Sequence, residues 1–334
     1  MASKLLGLTF AMLPLASLAL VVAPTRAPPC AWRTTTVTAT ATPPPQSSSL
    51  PPPQVPDGWT PPEPKPLSVP EGALGTTLGG SVALALRLAV GCFVVGWKPE
   101  SMGSAPDGKY SLFGFRDTSS LLSGCNRPEQ PIKIYEYEPS PYCRKVREAC
   151  SILDLSVTYL PCPGARKGFA AELGALGGKM QVPYLVDENE GGQSMYESDD
   201  IIDYLFENYG PGKDQVPWQL RGPFAFWTCA FASFARGLAG SALLPEARPD
   251  NLAMKPLELW GYETSPFVKP VRETLCSLAL PHTVLNCARG SMRRDEMVAK
   301  TGRFQVPFLV DPNTGAELFE STAIVEYLEQ VYTV

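Results

Sequence analysis

The chain has 334 residues, enough for about two domains with tails, and 44% of them are hydrophobic. Its 28 basic against 33 acidic residues leave a net charge of −5, which excludes the basic surface that a nucleic-acid partner demands. With one histidine, His282, a histidine-built metal cage is excluded, and a Ser-His-Asp triad would rest on that residue alone. The nine cysteines lack paired CxxC spacing, so they read as reduced thiols and no metal site is expected.

Residues 1–23 form a signal-like segment: Lys4 precedes an apolar run from Leu5 to Ala23, of h-region length. Residues 24–71 are rich in Thr, Ala, Ser and Pro, with Arg26 and Arg33 and no acid before Asp57. That is transit-peptide composition. Proline clusters at 43–45 and 51–53, continuing to Pro70, predict an unfolded linker. The two segments together resemble the bipartite leader of algae with plastids of secondary origin, so a plastid destination is expected. The alternative is the secretory pathway, with 24–71 as a disordered stalk.

An apolar helix is expected within 72–98 and a second within a helical linker, 211–256. Leu78 to Trp97 carries one charge, Arg87, and Phe224 to Leu244 carries one, Arg236. A central arginine opposes a membrane span, at a cost of roughly 3 kcal/mol on insertion scales. Three readings stay open: a helix packed on the rest of the chain, a helix lying at a membrane surface, and a span. Gly79, Gly80, Gly91, Gly237 and Gly240 permit close helix approach in each.

The remaining chain is an internal repeat, with domain 1 at 130–210 and domain 2 at 257–334. Tyr137-Glu138-Pro139-Ser140-Pro141-Tyr142-Cys143 recurs 125 residues later as Tyr262-Glu263-Thr264-Ser265-Pro266-Phe267-Val268. Each copy follows a β-rich run and leads into a helical pattern, and Ser before Pro suits a helix start. Gln181-Val182-Pro183-Tyr184-Leu185-Val186-Asp187 recurs as Gln305-Val306-Pro307-Phe308-Leu309-Val310-Asp311. Tyr196-Glu197-Ser198 recurs as Phe319-Glu320-Ser321, ahead of a helix containing Tyr-Leu at 204–205 and 327–328. The order is βαβαββα, an α/β fold.

Strand, Ser-Pro turn, helix is how thioredoxin-type folds present a site. On these landmarks both repeats resemble the glutaredoxin-like N-terminal domain of glutathione transferases. The tandem resembles plastid proteins carrying two such domains without the long helical domain. The likeness covers roughly 110–334, including Leu112-Phe113-Gly114-Phe115.

The resemblance implies glutathione as ligand or co-substrate. Cis prolines at Pro183 and Pro307 would leave the backbone of Val182 and Val306 to pair with it. Ser198 and Ser321, with their helix N-termini, would hold the γ-glutamyl carboxylate, and Glu197 and Glu320 its ammonium. Either serine is equally compatible with a plain N-cap.

The nucleophile position of the family falls on Ser140 and Ser265, and the second cysteine position on Cys143. A dithiol cycle is therefore absent. The serine either stabilises a glutathione thiolate or merely caps a helix in a site without catalysis. Pro270 makes repeat two the weaker site. Cys162 and Cys287 end matching strands, ahead of Arg166, Lys167, Arg289, Arg293 and Arg294, and are either activated secondary thiols or structural ones. His282 aligns with Val157 and reads as structural.

The expected function is glutathione-dependent transfer or thiol exchange in plastid redox metabolism. A protein thiol or a small electrophile would be the second substrate. The alternative is a non-catalytic binding module, with membrane-surface contact through 78–97 and 224–244.

Overall fold

The computed structural model describes residues 50–65, 73–101, 109–189 and 191–334. The signal-like run and most of the transit-like stretch lie outside the described residues. Helix α1 (Leu74–Leu86) and a hairpin of β1 (Trp97–Ser101) and β2 (Phe115–Ser119) precede the first repeat. Repeat one is β3 (Ile132–Glu136), α2 (Pro141–Ile152), β4 (Val157–Pro161), α3 (Ala170–Gly177), β5 (Tyr184–Asp187), β6 (Gln193–Met195) and α4 (Ser198–Tyr209). Helix α5 (Gly222–Ala235) leads to repeat two. That repeat is β7 (Leu257–Gly261), α6 (Val268–Ser277), β8 (His282–Asn286), α7 (Arg293–Thr301), β9 (Phe308–Val310), β10 (Glu317–Phe319) and α8 (Ser321–Val331). Each repeat is the thioredoxin-like βαβαββα unit.

The repeats do not sit as separate beads on a linker. Their sheets fuse into one of eight strands, ordered β10-β9-β7-β8-β4-β3-β5-β6. The seam is an antiparallel pairing of β4 with β8: Val157 faces Val284, Thr158 faces Thr283 and Tyr159 faces His282. Thr158 and Thr283 are equivalent positions of the two repeats, and their hydroxyls hydrogen-bond at 2.9 Å. A pseudo-twofold axis therefore passes between them. The pairing removes one open edge from each half-sheet, and the strands left at the outer edges, β6 and β10, are only three residues long.

One continuous core runs beneath both halves on the face carrying α2, α4, α6 and α8, from Val146, Ile201 and Leu205 to Val271, Leu275, Ile324 and Leu328. The opposite face holds two smaller clusters under α3 and α7, centred on Tyr135 and Leu173 and on Trp260 and Met297. Each α4-type helix is tied to its strand by one carboxylate. Asp187 Oδ2 accepts from the hydroxyls of Tyr204 (2.9 Å) and Tyr209 (2.5 Å). Asp311 Oδ2 accepts from Tyr327 and Tyr332, both at 2.7 Å.

Between α2 and α6 the seam is ionic. Arg147 donates to Glu263 (2.9 Å) in the other repeat and pairs with Glu136 in its own. Arg272 reciprocates, donating to Glu138 and Glu136, both at 3.1 Å. Lys269 bridges Glu138 (3.0 Å) and Glu263. All these side chains are buried. Burial alone would raise the Glu263 carboxyl, but Arg147 and Lys269 hold it down to about 2. Removing one partner of such a cluster strands a buried charge, at roughly 3–5 kcal/mol.

The apolar helices are shorter than the sequence suggests, and no described helix is long and apolar enough to cross a membrane. Both stop at their arginine, because that arginine turns inward. Arg87 forks onto Glu148 (2.9 and 2.6 Å) and Arg236 onto Glu273 (2.7 and 2.5 Å), and the two glutamates are equivalent. Four residues on, Gly91 (φ +86°) and Gly240 (φ +81°) turn the chain against those glutamates. A side chain there would meet the Cα of Glu148 at 3.4 Å or of Glu273 at 3.3 Å. Hence α1 and α5 are themselves a repeated pair, packed against each other.

His282 is fully buried, its Nδ1 3.0 Å from the Leu280 carbonyl. Burial, with Arg272 adding, lowers its pKa from 6.5 to about 3. The folded imidazole stays neutral while the unfolded one takes a proton below 6.5. Its contribution to stability is complete above that pH and is lost as pH falls toward 3. At about 1.4 kcal/mol per unit, about 3 kcal/mol is gone by pH 4.5. Glu136, Asp154 and Glu273, raised by burial, act with opposite sign in part of this window, so the readout is a difference between chains. His282→Val, the residue at the matching position of repeat one, should flatten the fall in urea midpoint between pH 6.5 and 4.5. An unchanged slope would refute this account of His282.

Candidate functional site

In repeat two the expected residues converge. Ser265, Val306, Pro307, Glu320 and Ser321 line one cavity of about 550 Å³. The Val306-Pro307 bond is cis, and Val306 lies just before β9, outside the ladder. Ser321 opens α8 and Glu320 precedes it at φ +71°, a conformation a glutamate rarely takes. Gln305 holds that glutamate, donating from Nε2 to Oε1 at 2.6 Å. The cavity's further walls come from outside the repeat: Lys65, and the segment 109–112 with Tyr110 against Phe304 (4.7 Å).

Repeat one has the same parts without the walls. Val182-Pro183 is cis, Glu197 stands at φ +64°, and Gln181 donates to it at 3.0 Å. Gln181 and Glu197 are exposed, while Ser198 is buried at the start of α4. A smaller cavity, about 310 Å³, lies instead beside the Ser-Pro turn, between Tyr142, Lys145 and Asp199 and the α5 residues Phe226 and Trp227. It is lined by none of Ser140, Val182, Pro183, Glu197 or Ser198. The better-formed pocket is thus at repeat two, despite Pro270. The difference lies in the flanking segments, not in the repeats.

The two serines also differ. Ser140 caps α2, its Oγ accepting from Cys143 N at 3.3 Å, and is 5% exposed. Ser265 is 1% exposed and caps nothing with its side chain, because α6 starts only at Val268. The apolar helices cover both turns: Tyr142 stacks near Phe226 (5.5 Å), and a side chain at Gly80 would strike Pro266 at 2.8 Å.

The sequence model of the glutathione S-transferase N-terminal domain matches residues 134–213 and again 259–333. The chain carries two glutathione S-transferase N-terminal domains. Over 79 residues it is 34% identical to a glutathione S-transferase-like protein of Aspergillus fumigatus, a stretch covering 24% of this chain and 35% of that protein. The chain therefore spans about a third of the length of that curated relative. A glutathione transferase of Bombyx mori is 26% identical, with 28% of this chain and 42% of that one covered and a TM-score of 0.24. A trimeric glutathione transferase of Leishmania is 16% identical, with 60% and 68% covered and a TM-score of 0.23.

In these two transferase-type domains the protein's own thiols are poor nucleophiles. Cys143 is buried, and burial with the nearby Glu136 pushes its thiol up to about 12. Cys162 and Cys287 are fully buried in the clusters under α3 and α7, and burial raises both well above an ordinary thiol. For Cys287, Arg294 and Arg293 oppose that rise without overcoming it. Of the two readings of these thiols, activated or structural, burial favours the structural one.

Reading the sequence missed Gln181 and Gln305. Their signal was present, a glutamine repeated directly before each Val-Pro. It also missed the pairing of α1 with α5, which an arginine followed four residues later by glycine could have shown, at 87–91 and 236–240.

All eight cysteines among the described residues are unpaired. Of these eight, Cys92 and Cys125, the two not buried, should alone react with a disulfide reagent within minutes in the native protein at pH 8. Cys143, Cys162 and Cys287 should react only on unfolding. Rapid labelling of Cys162 in the folded state would overturn the assignment.

Proposed function

We propose that the chain is a glutathione-binding, transferase-like protein whose principal ligand site is the cavity of repeat two. The carrying observation is that Ser265, Val306, Pro307, Glu320 and Ser321 line one cavity, with Glu320 pinned by Gln305. The charges suit a peptide with two carboxylates and one ammonium: Lys109 and Arg303 share the cavity with Glu320. Val306 offers main-chain pairing, and Ser321 with the N-terminus of α8 suits a carboxylate. The ligand supplies the nucleophile, because the buried protein thiols cannot. A hydrogen bond from the Ser265 hydroxyl would favour the glutathione thiolate, which attacks an electrophile while the thiol proton passes to solvent.

Calorimetry with glutathione tests the reading. Ser321→Ala should weaken binding about ten-fold, the cost of a hydrogen bond to a charged group, and Ser198→Ala should weaken it less. If Ser198→Ala abolishes binding and Ser321→Ala leaves it intact, the ligand sits in repeat one.

A second reading, attachment to a lipid surface, has its own observation. Leu74, Leu78 and Val82 of α1 and Trp227, Phe231 and Phe234 of α5 are exposed, while Arg87 and Arg236 are drawn inward. The exposed side chains form an uncharged apolar face on two packed helices, suited to lie in a membrane interface. The protein should float with phosphatidylcholine vesicles, and the double variant Phe231→Ser, Phe234→Ser should not. Both side chains are exposed, so the fold should survive. No flotation of the parent chain would sink this reading.

A further inference from the structure

We infer that residues 50–65 form a strap that closes the ligand site of repeat two, and that a ligand must displace its end to bind. The inference rests on the reading of that site as a glutathione site.

The strap's end lies on the acidic group that the ligand's ammonium would use. The backbone N–H of Lys65 donates to Glu320 Oε1 at 2.7 Å, the same oxygen that accepts from Gln305. A main-chain N–H thus stands where an ammonium would be held, and Lys65 also lines the cavity. The equivalent acid of repeat one, Glu197, is exposed and keeps its bond to Gln181. The two sites therefore differ in whether a main-chain N–H sits on the acid beside its glutamine.

The strap is fastened along its length. Arg248 donates from Nη2 to the Pro51 carbonyl at 2.6 Å. Val55 and Trp59 pack against the main core, and the Trp59 ring lies 5.2 Å from that of Tyr327. Tyr327 in turn donates to Asp311, so the strap rests on the group that fixes α8. Seven prolines occur between 51 and 65, at 51, 52, 53, 56, 61, 62 and 64. They keep the free segment extended, so docking it orders little additional backbone. The same composition that reads as an unfolded linker in the sequence makes an inexpensive strap once Val55 and Trp59 find an apolar seat.

Closure lowers the apparent affinity by the fraction of molecules that are open. Weakening an anchor remote from the cavity should then tighten binding. In the full chain, Trp59→Ala should raise glutathione affinity by about ten-fold in calorimetry, equivalent to an open fraction near one tenth in the parent. Val55→Ser, a milder lesion, should act in the same direction. In the parent chain, added glutathione should speed hydrogen exchange over residues 50–65. If both variants leave affinity unchanged or weaken it, or if glutathione protects residues 50–65, the strap is part of the bound site and the inference fails alone. If neither parent nor variants bind glutathione, the reading of the site fails and the strap's role falls with it.

Discussion

The fold depends on a reciprocal exchange of charge at its centre. Arg147 reaches from the first repeat to Glu263, and Arg272 reaches from the second to Glu138. Burying charges costs several kcal/mol each, which only close, multiple pairing offsets. Here the ions of each repeat are paired within it only in part, Arg147 with Glu136 and Lys269 with Glu263, so each repeat alone would keep buried charge without its full set of partners. The cluster therefore contributes less to net stability than to the requirement that the halves meet in one register. The outer pairs, Arg87–Glu148 and Arg236–Glu273, extend the same logic to α1 and α5. The same arginines also tie the two helices to each other, Arg87 donating to Thr228 of α5 and Arg236 to the Thr76 carbonyl of α1.

From this frame the two sites diverge without any change in their landmarks. Cis proline, positive-φ glutamate, glutamine clasp and helix-opening serine are all present twice. What differs is the chain laid around them. Repeat two gains walls from Lys65 and residues 109–112, and its Ser265 is free of capping. Repeat one has a Ser140 that caps α2 and an exposed Glu197. The chain carries two copies of these landmarks, and the sequence ahead of the first copy, Lys65 and 109–112, walls in only the second.

Much of this was legible beforehand. The repeat, its βαβαββα order and the residues around each Val-Pro follow from local patterns, and local patterns are what a sequence displays. The β4–β8 seam was not legible, because pairing of two edge strands leaves no short-range mark: Thr158 and Thr283 read as ordinary strand residues. The inward arginines were half legible. Arg87 and Arg236 stand out as lone charges in apolar runs, but their partners Glu148 and Glu273 sit on helices whose approach only the tertiary fold defines. The thiols were ambiguous for a related reason. Proximity to Arg and Lys left activation of Cys162 and Cys287 open, and the depth of burial that raises both thiols is invisible in the sequence.

The hydrogen bond between Thr158 and Thr283 joins a position to its own duplicate. Such a contact is isologous, the geometry by which two identical subunits meet across a twofold axis. A single repeat already presents everything that seam requires, so two separate copies could close the same eight-stranded sheet. Placing them on one chain replaces a concentration-dependent association with an intramolecular one. It also breaks the rule that every change at a symmetric interface occurs twice. Tyr159 now faces His282, while the symmetry-related pair is Val157 with Val284. Covalent fusion thus allowed one side of the axis to acquire a buried imidazole that the other side never had to accommodate.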